Sequence, residues 1–169
     1  MKTTTQKVVI SAMFAALVCV ATMIIKIPSP LKGYINLGDP IVLLCGWILP
    51  PGYAFLAAGI GSALADVFAG YMTYAPVTFV IKGLMAIIAY CGYILLSKRT
   101  KSFAARLLSS TLAEAVMILG YFLFEGIMYG FAPSVVNIPA NAVQGLAGII
   151  FGIILIKVFE KQNVIQILK

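Results

Sequence analysis

The sequence predicts an all-α integral membrane protein, a single bundle of six transmembrane helices, and three observations predict it. Hydrophobic residues make up 62% of the chain and charged residues 10%, against about 45–50% and about 25% in a soluble domain. Apolar stretches recur between clusters of Pro, Gly and charge, most of them near the length that crosses a bilayer. Lys and Arg segregate to alternate connections between those stretches. With 169 residues there is room for one domain, 1–169. A soluble globule of that size could not enclose so much apolar surface.

The first helix is expected over 8–27, stopped by Pro28 and Pro30. Residues 1–7 are polar, and the apolar run behind them is too long for a signal-peptide core and lacks a small-x-small cleavage site. A polar loop, 29–39, follows, then a short apolar run over 40–49 that Pro50-Pro51-Gly52 ends. The third helix is expected over 53–70, the fourth over 76–97, the fifth over 103–129 and the sixth over 135–158. The second run is the short one: ten residues make about 15 Å of helix, half the hydrocarbon thickness. Charge decides whether it crosses. With six crossings, Lys2, Lys7, Lys98, Arg99, Lys101, Arg106, Lys157, Lys161 and Lys169 share one side, and Lys26 and Lys32 the other. Without the second crossing the Lys98–Arg106 cluster would face away from the N-terminus. The positive-inside rule therefore predicts six crossings in a multi-pass cell-membrane protein, with both termini cytoplasmic and the 29–39 loop covering the outer half. The net charge of +7 is then explained by orientation and anionic lipid, and no nucleic-acid partner is called for.

Much chemistry is missing. The chain has no His, its three cysteines (Cys19, Cys45, Cys91) stand singly in apolar runs, and no Gly-x-x-x-x-Gly-Lys-Ser/Thr loop occurs. No nucleophile has a base beside it. The sequence predicts neither an enzyme, a metal site nor a cofactor.

Polar groups at membrane depth are costly and mark functional positions. Four ionisable residues lie there: Asp66, Lys82, Glu114 and Glu125. Glu114, Tyr121 and Glu125 share one helical face, as do Asn137, Asn141 and Gln144 at i, i+4 and i+7. Tyr34 and Asn36 in the first loop, and Tyr71 and Tyr74 between the third and fourth helices, fall at the same outer level. Together they suggest a cavity open to the outside, fit for a small polar heterocycle. Set against that, Asp66 and Lys82 could be a structural ion pair, Glu125 an interfacial residue, and the tyrosines an aromatic belt. Small residues at Gly59, Gly61 and Ala63, at Gly126 and Gly130, at Gly148 and Gly152, and at Ala12 and Ala16 permit close helix approach.

Four segments carry a family resemblance: Ser11-Ala12-Met13-Phe14-Ala15-Ala16-Leu17, Gly33-Tyr34-Ile35-Asn36-Leu37-Gly38-Asp39, Gly59 to Asp66, and Tyr74 to Gly83. They resemble the substrate-binding S components of energy-coupling factor (ECF) transporters, in the branch that holds the riboflavin and hydroxymethylpyrimidine S components. The resemblance implies capture of a vitamin or precursor from outside and docking on a transmembrane coupling protein with two cytoplasmic ATPases. It implies that Ala12 and Ala16 form the docking surface and that the first loop caps the pocket. The carboxylates Asp66, Glu114 and Glu125 outnumber Lys82, which favours a neutral or cationic amino-heterocycle: a thiamine pyrimidine, a vitamin B6 form or a queuosine precursor ahead of riboflavin. The competing reading is a stand-alone proton-coupled transporter, which predicts an inverted repeat that the sequence does not display. A purely structural subunit would bind no ligand.

Overall fold

A computed structural model describes residues 3–29 and 33–165. Lys2, Lys32 and Lys169 of the charge count, and Pro30 and Leu31 of the first loop, lie outside the described residues.

Helix α1 spans Thr4–Ile24. It begins earlier than the hydropathy suggests because Thr3 and Gln6 close a reciprocal capping box. It also ends three residues before the expected 27. Ile25 is extended, and Lys26–Pro28 (β1) instead pairs antiparallel with Tyr34–Asn36 (β2), with Ile27 opposite Ile35. These two strands form a small hairpin, a device that segments three residues long could not announce in sequence. Asn36 fixes its exit: its side-chain oxygen accepts the Gly38 N–H at 2.9 Å, the local turn that Asn favours.

Helix α2 (Asp39–Ile48) then starts on an acidic residue followed by proline, both suited to a helix N-terminus. Helices α3 (Pro51–Phe68), α4 (Ala75–Ser97) and α5 (Ser102–Tyr129) follow. A left-handed Gly130 (φ +93) breaks α5. A single turn, α6 (Phe131–Ser134), and a 3-10 turn over Val135–Asn137 lead into α7 (Ile138–Lys161).

Among the described residues, five helical stretches are long and apolar enough to cross a membrane, and α2 is a shorter apolar helix. The reason a half-length helix can exist there is burial. Nine of its ten residues are buried, packed by α1, α3, α4 and α7, so its unpaired terminal backbone groups meet protein rather than lipid. Glycines set how closely the helices approach. A Cβ on Gly61 would stand 2.4 Å from the Ala15 carbonyl of α1, and one on Gly46 would stand 2.5 Å from the Ala86 carbonyl of α4. The outward faces are apolar: Val8, Met13, Leu17 and Val20 on α1, and Val143, Leu146 and Ile150 on α7, are exposed. Such a surface suits lipid and not water. At the end carrying the basic connections, Arg106 of α5 binds Glu160 of α7 at 2.6 Å and stacks 5.0 Å from the Tyr93 ring centroid.

Candidate ligand cavity

At the end of the bundle opposite Arg106, the C-terminal turns of α3 and α5, the N-terminal turns of α4 and α7, and the β1–β2 hairpin enclose a cavity. Its empty volume, with the open mouth counted in, is about 410 Å³. Of the eleven residues expected at the site, eight line it: Tyr34, Asn36, Asp66, Tyr74, Tyr121, Glu125, Asn141 and Gln144. Residues with no chain proximity are brought together here by four helices running alternately up and down.

The walls are built by paired polar groups. Tyr34 donates its hydroxyl to Asp66 Oδ1 at 2.7 Å, tying the hairpin to α3. Burial, and then the charge of Asp66, push the Tyr34 phenol above its ordinary pKa, so it stays a donor. Its ring lies 5.0 Å from Tyr71, which stands 6.3 Å from Tyr74, making one aromatic wall. Glu125 accepts from Asn137 Nδ2 at 2.9 Å and from the Tyr74 hydroxyl at 3.4 Å. Thr78 and Tyr121 share a hydrogen bond of 3.1 Å across the floor between α4 and α5. Asn137 thus stands behind Glu125, holding it, rather than in the lining.

Lys82 and Glu114 lie below the cavity. Lys82 bonds Asp39 Oδ1, and both side chains are buried. The ion pair considered between Lys82 and Asp66 is therefore made with Asp39 instead: Pro40 starts α2 deep enough to point its first carboxylate at α4. Gln144 joins the two layers. Its Nε2 donates to Asp39 Oδ2 at 2.7 Å and its Oε1 accepts the Asn36 N–H at 2.9 Å, which fastens the hairpin to α7. Glu114 packs against Gly145 and Gly148 of α7.

Sequence reasoning missed Asp39 and Thr78. Asp39 reads as the last residue of a polar loop, and only its 0% exposure shows it as the anchor of the site. Thr78 lies two residues after Pro76 in an apolar run, with no signal beyond its hydroxyl. The residues Ala12 and Ala16 are far from the cavity. They are exposed and line an apolar groove between α1 and α3, with Leu56, Ile60 and Leu64 on its other wall.

Comparison with known proteins agrees with this architecture. Residues 2–161 match the family model described as the ECF-type riboflavin transporter, S component. An uncharacterised protein from the gap 3′ region of Pyrococcus woesei is 39% identical over 136 residues, covering 80% of this chain and 88% of that one. The thiamine precursor transporter HmpT of Lactococcus lactis subsp. cremoris (strain MG1363) is 24% identical over 163 residues, covering 95% of this chain and 92% of that protein. Matched over nearly its whole length, the chain belongs to the ECF-type riboflavin transporter S component family: it is a multi-pass membrane subunit for vitamin uptake, and its family is one of transport subunits rather than enzymes.

Proposed function

We propose that this chain captures a small, hydrogen-bond-donating nitrogen heterocycle from outside the cell and delivers it through an ATPase-driven partner complex. The observation that carries the substrate class is the charge of the cavity. Among the described residues, its lining holds two carboxylates, Asp66 and Glu125, with amides and phenols around them, and contains no Lys or Arg. Lys82 is committed to Asp39. A phosphate ester would meet acceptors and negative charge, whereas an amino-pyrimidine or amino-pyridine meets partners for its N–H groups and aromatic faces for its ring. The HmpT relative, a thiamine precursor transporter, points to such rings ahead of riboflavin.

The orientation follows from charge: six crossings with both termini cytoplasmic put the Lys98–Arg106 side inside and the cavity outside. In that orientation the β1–β2 hairpin is the cap of the pocket. The groove around Ala12 and Ala16 is the surface for a helix of the transmembrane coupling protein. The absence of large side chains at those two positions lets another backbone approach.

The test is a thermal-shift panel on purified protein in nanodiscs, holding the thiamine pyrimidine, pyridoxine and pyridoxamine, each with its phosphate ester, a deazaguanine base and riboflavin. A ligand at one hundred times its Kd stabilises by about 2.7 kcal/mol. A shift with an amine-bearing ring and none with its phosphate ester is expected; a preference for the phosphorylated form would overturn the charge argument. Ala12→Leu should abolish uptake by the assembled complex while leaving binding intact. Equal loss of both would refute the docking assignment.

A further inference from the structure

Beneath the cavity the polar cluster holds one more acid than it can pair. Asp39 accepts from Lys82 and from Gln144, one donor on each oxygen. Glu114 is 3% exposed, and among the described residues neither of its carboxyl oxygens has a hydrogen-bond partner. Asp39 of α2 and Lys82 of α4 are the charged groups that act on it, and Gly145 and Gly148 of α7 pack against it. Along α5 the next titratable side chain is Tyr121, two turns away and bonded to Thr78. The place is shaped for this carboxyl group. A Cβ on Gly148 would stand 2.6 Å from Glu114 Oε1 and 2.9 Å from Asp39 Cβ, so two acidic side chains converge on one small space kept open by glycine.

We propose that Glu114 is a buried proton-binding site, occupied at neutral pH, and that its proton keeps the Asp39–Lys82 pair intact under the cap. Two carboxylates crowding one site, with a single ammonium between them, do not both stay ionised, and an ionised carboxylate without a donor is the costliest group to bury. With Glu114 neutral, the cluster carries one negative and one positive charge. Breaking the Glu114 O–H bond and passing the proton to water would set a second anion against Lys82. Asp39 would then be drawn from its pairing, and with it Gln144 and the Asn36 backbone that Gln144 holds. The proton is thus part of the latch between α7 and the hairpin, separate from the ligand groups above it.

The chain has three glutamates, Glu114, Glu125 and Glu160, so the double variant Glu125→Gln, Glu160→Gln leaves Glu114 as the sole one. Infrared spectra of that variant in nanodiscs at pH 7, with and without 13C-carboxyl glutamate, should show the carbonyl stretch of a protonated acid that shifts on labelling. The wild type should show the same band, and Glu114→Gln should lose it while keeping its thermal midpoint within about 3 °C, the shift of roughly a 1 kcal/mol change. A label-sensitive carboxylate stretch with no protonated band would overturn the proposal. So would a protonated band that survives Glu114→Gln. The double variant and the wild type decide the matter even if Glu114→Gln does not fold.

Discussion

Replacing Gln144 with methionine removes both polar contacts that join the hairpin, α7 and the ion pair, at nearly constant side-chain length. The Asn36 N–H, bonded at 2.9 Å, becomes an orphan in a buried position. That costs about 1–3 kcal/mol. Asp39 Oδ2 loses a donor held at 2.7 Å. A hydrogen bond to a charged group contributes about 1.5–3 kcal/mol. The methionine thioether buried in its place returns about 1 kcal/mol. The net loss is therefore about 2–5 kcal/mol. At about 2–4 °C per kcal/mol for a chain of this size, the thermal midpoint should fall by roughly 4–20 °C. Trp47 is the single tryptophan; it is buried, with its indole N–H on Ser109 at 3.3 Å, so its fluorescence reports unfolding of the bundle without a label. Ligand affinity should fall as well, since the cap strand loses its tether. A midpoint within about 2 °C of the wild type, with unchanged affinity, would mean that Gln144 does not hold the cap, and the two-layer description of the site would fail.

Lys82→Met should destabilise the protein by about 3–5 kcal/mol, because it strands the Asp39 carboxylate in the interior. Adding Asp39→Asn should recover at least half of that in the same melting assay; strictly additive losses would contradict the pair. Tyr34 gives a pH prediction. Its phenol is held above its ordinary value in the folded protein, so above about pH 10 the unfolded chain releases this proton while the native chain keeps it. The native state then binds more protons, and the stability that Tyr34 contributes, complete below about pH 10, declines as pH rises past it. The tyrosinate difference spectrum between wild type and Tyr34→Phe should stay flat for the folded protein through pH 11. A Tyr34 signal centred near pH 10 would show that the phenol is not held by Asp66.

Membrane character was legible because it follows from composition, and the spans because proline, glycine and charge punctuate them. The shared faces of Tyr121 with Glu125, and of Asn141 with Gln144, were legible too, since helical periodicity puts residues three or four apart on one face whatever surrounds them, and all four line the cavity. Periodicity fixes a face but not a depth, which is why Glu114, on the same face as Tyr121 and Glu125, lies below the cavity that they line. The hairpin was invisible because its strands are three residues long and held by partners across the chain: Tyr34 by Asp66, Asn36 by Gln144. The apolar helices and the polar residues they must shelter follow from the amino-acid order alone. That Lys82 belongs to Asp39 emerges only from the packed bundle. That pairing joins residues 43 positions apart on different helices, and it depends on how deep a ten-residue helix sits among its neighbours, a distance that packing sets and no local pattern encodes.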